Sequence, residues 1–343
     1  MFLLRNAVPE DINDIFELAQ LANFINLPAD RNELTDIIKS SLESFRAPKN
    51  PLWKNHYLFV VEDLKERKVI GTSLIHAQHG TKLSPHYFLK VSKEDRFSKT
   101  LNTGMVHGTL KLGLEMDGPT EIGALVLHPS YRAHAQKIGK QLSFVRFLYM
   151  SLYPERFKKE VHSELLPPFD QEGNSPLWEA IGRKFTNMDY READKLSQEN
   201  KEFILSLFPL KLIYITLLPI EARNSVGNVG QETLPVKKML EQVGFTYIQE
   251  VDPFDGGPHY RCKLSEIKPI KEKKEGTLLI SDKNKEVDKG DDYLVNLPSQ
   301  KYLFAAMKIK NEQEKREVSI DSSLAKDLML NQEEKKVTLI PLS

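Results

Sequence analysis

Apolar positions recur along this chain in two rhythms, and the switch between them marks out its elements. Residues 2–7 (FLLRNA) form a short apolar run of strand length, and Pro9-Glu10-Asp11 has the chemistry of a helix start. Ile12, Ile15, Leu18, Ala19 and Ala22 then repeat at helical spacing, as do Leu34, Ile37, Ile38, Leu42 and Phe45 after Leu27-Pro28. Tyr57–Val61 and Val69–His76 read as successive strands joined by a charged turn at Lys65–Lys68. Residues 80–120, with Pro85, Gly104, Gly108, Gly113 and Gly118, give no regular pattern. Ile122–Leu127 is an apolar run fit for a buried strand, and His128-Pro129-Ser130 breaks it. Ile138, Leu142, Val145 and Tyr149 then share one helical face. Further on, Val236, Met239, Leu240 and Val243 define a helix stopped by Gly244, and a strand runs from there to Val251.

The strand, loop and helix between Glu121 and Leu142 suit a phosphate. A helix start offers unpaired N–H groups and the positive end of its dipole, and Gly139 permits close approach. An ordinary strand-to-helix crossover has the same pattern, so this stretch leaves both readings open. Together, Pro-x-x-Arg (129–132), Ile138-Gly139-Lys140 and the later helix, Gly244-Phe245 and strand resemble the acyl-CoA N-acyltransferase (GNAT) fold. The expected architecture is therefore α/β (α+β), with residues 1–265 as the GNAT-like domain. Residues 151–233 exceed what that core needs and are read as a large insertion carrying the acceptor site. A lysine-rich link at Lys268–Lys274 precedes short runs at Thr277–Ile280, Tyr293–Leu297, Tyr302–Ile309, Glu317–Ile320 and Lys336–Ile340. These suggest a small β-rich C-terminal subdomain over 275–343, with Asn311–Arg316 as a solvated turn.

Composition narrows the function. Forty-eight basic and forty-eight acidic side chains cancel, which argues against a general nucleic-acid binder. Cys262 is the sole cysteine, so neither a disulfide framework nor a zinc cluster is expected within one chain. No apolar run reaches the length of a membrane span, and a cytoplasmic protein without a membrane partner is expected. His76, His79, His86 and His107 show no His-x-x-x-His spacing; they are read as surface or hydrogen-bonded residues, and no metal is expected.

Several longer motifs point to one family. Glu121–Leu127, SPLWEAIGRKFTNMDYREAD (Ser175–Asp194), GNVGQETLPVKKMLEQVGF (Gly227–Phe245) and FDGGP (Phe254–Pro258) stand in the order of the arginine N-succinyltransferases. The resemblance spans essentially the whole chain and weakens after about residue 265. It implies transfer of succinyl from succinyl-CoA to the α-amine of L-arginine in arginine catabolism, within a homo- or hetero-oligomer of family members. Leu125 falls at the family's succinyl-CoA position. The backbone of Leu125, Val126 and Leu127 would pair with the pantetheine arm, and Arg132, Lys137, Gly139 and Lys140 would hold the pyrophosphate.

Departures from the family pattern bear on the chemistry. The family's proton-donor histidine falls at Gly230, Lys137 stands where a loop glycine is usual, and Leu166 where an arginine is common. His259 is either a replacement acid or a loop histidine without a role. Glu121 is either the base for the amine or a structural hydrogen-bond partner. Asp255 either binds a cationic acceptor or closes the Asp-Gly-Gly turn. Trp178, Phe185, Met188 and Tyr190 are candidates for packing, and Asp189 and Asp194 for helix caps. Two alternatives to an active arginine enzyme remain: a weak or silent binding subunit, and an acyltransferase for another amine such as ornithine.

Overall fold

The computed structural model describes residues 1–22, 27–281, 290–312, 315–330 and 336–342. The Ala22 side chain and residues 313–314 of the expected charged turn lie outside that description. In chain order the strands are β1 (Phe2–Asn6), β2 (His56–Asp63), β3 (Lys68–His76), β4 (His86–Ser98), β5 (Thr103–Glu115), β6 (Thr120–Leu127), β7 (Glu160–Glu164) and β8 (Ile213–Tyr214). They continue with β9 (Thr246–Val251), β10 (Pro258–Lys263), β11 (Lys274–Ser281), β12 (Asp291–Leu297), β13 (Ala305–Asn311), β14 (Glu317–Asp321) and β15 (Lys336–Pro341). The longest helices are α1 (Ile12–Ala22), α2 (Arg31–Arg46) and α3 (Ile138–Leu152).

The chain forms two compact units. Unit 1 comprises Met1–Gln78, Thr120–Lys159 and Lys263–Ser343, and unit 2 comprises His79–Pro119 and Glu160–Cys262. Residues 275–343, expected as a separate subdomain, thus cluster with the N-terminal part of the chain, and β13 pairs antiparallel with β1. Of the segment 151–233, read as an insertion, residues 160–233 fall in unit 2 and 151–159 in unit 1.

Strand order in unit 1 is β14-β11-β15-β12-β13-β1-β2-β3-β6. Helices α1 and α2 put Ile15, Leu18, Leu34 and Ile38 against Leu58, Val60, Val69 and Val126 of the sheet. Each buried Leu or Ile of such a stripe contributes about 1.5–3 kcal/mol, which is what holds a helix to a sheet. Asp30 caps α2 by accepting from Asn32 N and Glu33 N at 2.8 and 3.0 Å. Helix α3 is buried nearly all round. Its Tyr149 meets Phe45, Tyr57 and Phe304 with ring centroids 4.9–5.2 Å apart. A buried ion triad anchors β1: Arg5 holds Asp11 through both terminal nitrogens and Glu62 through Nε, all at 2.7–2.8 Å.

Unit 2 runs β7-β10-β9-β4-β5-β8. Residues 80–120 are more regular than their sequence suggested, since β4 and β5 make a long antiparallel hairpin from His86↔Glu115 to Ser98↔Thr103. Its core is Trp178, stacked on Phe254 at 5.0 Å with its indole N–H donating to Met188 O at 3.0 Å. Gly182 allows this packing, because a β-carbon there would stand 2.2 Å from the Trp178 ring. Phe185, a packing candidate in the sequence, is instead about half exposed. Asp189 caps the helix Tyr190–Glu199 through Glu192 N, whereas Asp194 lies within that helix.

Candidate functional site

In unit 1 the strand expected at Ile122–Leu127 is β6, and its pairing with β3 is interrupted. Gly71↔Leu127 and Thr72↔Val126 are in register, and pairing resumes only at Leu74↔Gly123. Ala124 takes a positive φ of 45° at this break, and Thr72 Oγ1 donates to its carbonyl at 3.1 Å. Such a bulge takes backbone groups of Ala124 and Leu125 out of the ladder and re-aims them. Glu121 is buried at the start of the strand, opposite His76. Beyond Leu127 the chain makes one short turn at Pro129–Tyr131 and enters α3 with Lys137 at φ 53°. That left-handed conformation favours glycine, which accounts for the glycine usual at this position. Arg132 donates through Nε to Leu127 O at 3.4 Å. A β-carbon on Gly139 would touch only Leu127, at 3.7 Å. Lys140 titrates below the usual lysine range because it is partly buried and faces Lys137 and Lys268. Basic side chains at a helix N-terminus form an anion site.

One buried cation stands apart. Arg146 of α3 donates to Ser143 O at 3.1 Å, Ser143 Oγ at 2.7 Å and Gly123 O at 3.4 Å. It has no carboxylate within ion-pair distance among the described residues, and burial pushes it down to about 9.

In unit 2 the motif segments converge on one set of loops. Gly230 N donates to Leu166 O, Leu165 N to Pro258 O, Gly227 N to Gly256 O and Ser175 Oγ to Phe254 O, at 2.8–3.2 Å. Asp255 Oδ1 closes the expected turn by accepting from Gly257 N at 2.7 Å, and Asp252 Oδ1 accepts from Phe254 N and Asp255 N. Burial, and then their mutual repulsion, raises the Asp255 carboxyl well above the carboxylate range. Burial raises Asp252 too, with Glu164 adding to it. Burial alone carries Asp194 up to about 7 against the pull of Lys201. His259 is fully buried and lies beside His86, His162 and Glu164. Burial and the neighbouring His79 and His162 hold His86 far below the usual histidine range.

Comparison with known proteins shows the family of the chain. The sequence model of the family described as "Arginine N-succinyltransferase beta subunit" matches residues 2–269. The chain belongs to the arginine N-succinyltransferase family. It is 33% identical over 308 residues to the arginine N-succinyltransferase of Yersinia pseudotuberculosis, covering 89% of this chain and 85% of the relative. Its identity to that of Photorhabdus laumondii is 32% over 275 residues, 79% of each chain. Among solved structures it is similar to arginine/ornithine succinyltransferase subunit AI from Pseudomonas aeruginosa. That match has a TM-score of 0.84 at 27% identity and covers 100% of this chain and 99% of the other. The α/β acyltransferase fold expected from the motifs is therefore the fold of this chain, and its family uses an acyl-CoA co-substrate.

As a member of the arginine N-succinyltransferase family, the protein divides its candidate residues by unit. Glu121, Leu125, Val126, Leu127, Arg132, Lys137, Gly139 and Lys140 lie in unit 1, and Asp255, His259 and Gly230 in unit 2. Sequence reasoning missed Arg146, Asp252 and the grouping of His86 and His162 with His259. Arg146 was hidden in an apolar helix, where its charge was the available signal. The histidines sit on strands far apart in the chain, and no local spacing joins them.

Proposed function

We propose that this protein transfers succinyl from succinyl-CoA to the α-amine of L-arginine, giving N2-succinylarginine and CoA. The observation that carries the reading is the break in β6 at Ala124–Leu125, followed directly by a basic loop and the start of α3. Pantetheine amides pair with the backbone at Leu125, Val126 and Leu127, as an added strand would. Arg132, Lys137, Gly139 and Lys140 take the pyrophosphate. The distal carboxylate of the acyl group needs a cation, and Arg146, buried without a counter-charge, is assigned to it. On the acceptor side, Asp255 with Asp252 and Asp194 offers buried carboxyls whose ionisation a guanidinium would restore.

The amine must lose a proton before it attacks, and Glu121 is assigned as base, acting through water. The C–N bond forms, the tetrahedral intermediate collapses, the C–S bond breaks and the thiolate takes up a proton. With glycine at 230 that proton comes from solvent. His259, a sequence candidate for the acid, is fully buried beside Glu164, which favours a different use. The reading includes a cytoplasmic setting, where succinyl-CoA is available, and assembly with family members.

Gly230 itself supports a second reading, a binding subunit that has lost its acid. A thiol-release assay with arginine and ornithine separates the two. Slow turnover with succinyl-CoA is expected, about 10²–10⁴ below a fully equipped enzyme, with acetyl-CoA a poor donor and Arg146→Gln abolishing the preference. Turnover only in Gly230→His would establish the silent member. In that variant the 166–167 backbone has to shift, because a β-carbon at 230 stands 2.9 Å from Pro167 O. Silence in both despite CoA binding by calorimetry would sink the arginine assignment.

A further inference from the structure

Four side chains of unit 2 meet at one carboxylate oxygen. Glu164 Oε1 lies 3.7 Å from His86 Nδ1, 3.4 Å from His162 Nε2 and 3.7 Å from His259 Nε2. His86 comes from β4, His162 and Glu164 from β7 and His259 from β10. The two β7 residues face the same side because side chains two apart on a strand do so. The ring centroids of the three histidines are 4.7–5.2 Å apart, and all three rings are buried.

One hydrogen-bond contact, His162 Nε2 to Glu164 Oε1 at 3.4 Å, lies within this grouping. The nitrogens turned toward Glu164 Oε1 are His86 Nδ1, His162 Nε2 and His259 Nε2, and His86 Nδ1 and His259 Nε2 stand at 3.7 Å, beyond hydrogen-bond distance. Three imidazoles around one carboxylate oxygen match a different chemistry. A tetrahedral zinc site with bonds of about 2.0–2.1 Å has ligand–ligand edges of about 3.3–3.4 Å. The three Glu–His edges are already within a few tenths of an ångström of that, and all four donor atoms lie within 4.8 Å of one another. Small side-chain rotations close the rest.

We propose that His86, His162, Glu164 and His259 bind one divalent transition-metal ion, zinc by preference, in a closed tetrahedral site that ties β4, β7 and β10 together. Imidazole with a single carboxylate suits zinc and its first-row neighbours, whereas calcium and magnesium need oxygen-rich sites. Three neutral imidazoles and one carboxylate leave a net charge of +1 at the site, which neutral imidazole ligands tolerate as in other His-rich zinc centres. Four protein ligands fill the tetrahedron, so the ion is structural and takes no part in acyl transfer. The site is independent of the acyl-transfer reading, and its tests do not read activity.

The full chain, purified without chelator from zinc-supplemented culture, should carry about one zinc per chain by mass spectrometry. His162→Gln and Glu164→Gln should reduce that at least tenfold, while His107→Ala leaves it unchanged. Cobalt added to the stripped wild-type chain should give the intense visible bands of a tetrahedral site, saturating at one equivalent, and should raise Tm. This titration needs no variant to fold. Substoichiometric zinc with a weak, octahedral cobalt spectrum and an unmoved Tm overturns the proposal, as does equal loss of metal in His107→Ala.

Discussion

A carboxyl group taken out of water keeps its proton to higher pH, and Asp194 is the clearest instance here, raised by burial to about 7. In the unfolded chain it would titrate near 3.9. Between those values the native state holds a proton that the unfolded state has lost. Its contribution to stability is therefore full below the unfolded pKa and is lost as pH rises through about 7. Asp194→Asn should flatten that loss, so its Tm should fall less than wild type between about pH 5 and pH 8; parallel Tm–pH curves would refute the assignment. The sequence offered Asp189 and Asp194 as equal cap candidates. Only three-dimensional placement separated the exposed cap from the half-buried acid one turn further on. His259 shows the same limit, since its neighbours His86 and His162 come from other strands.

At the scale of elements, the loop into α3 sets strain against charge. Lys137 sits at φ 53°, where an L-residue pays roughly 1–2 kcal/mol that glycine avoids. It also supplies one of the cations beside Lys140. Lys137→Gly should therefore raise Tm while raising KM for the acyl-CoA several-fold, with kcat little changed; an unaltered KM would remove Lys137 from the phosphate site. The left-handed position was legible as a displaced glycine, and β6 and α3 were legible from their apolar spacing. The hairpin of β4 and β5 was not. Its outer half, from Lys93 to about His107, is largely exposed on both faces, so the two-residue alternation that reveals a half-buried strand is missing. The bulge at Ala124 was equally hidden, because alanine carries no preference for positive φ.

For the whole molecule, each short β-run after residue 274 was legible, but its destination was not. Alternation says that a strand has two faces and nothing about which distant edge it will join. Those strands complete the sheet of unit 1, with Leu3↔Met307 and Leu4↔Ala306 in register. A chain ending at residue 271 retains the whole family-matched stretch of 2–269, yet it strips β1 of its β13 neighbour. Gel filtration should show that fragment aggregated where the full chain is dispersed, since an uncovered strand edge pairs with other chains; a monodisperse fragment would show that β1 and β2 suffice. The same pairing has a consequence for biosynthesis. Strand β1 waits for a partner made about 300 residues later, so unit 1 can close only after β13 has left the ribosome. Through that interval the apolar edge of β1 stands open, and the chain's exposure to misassembly is set by the speed of translation.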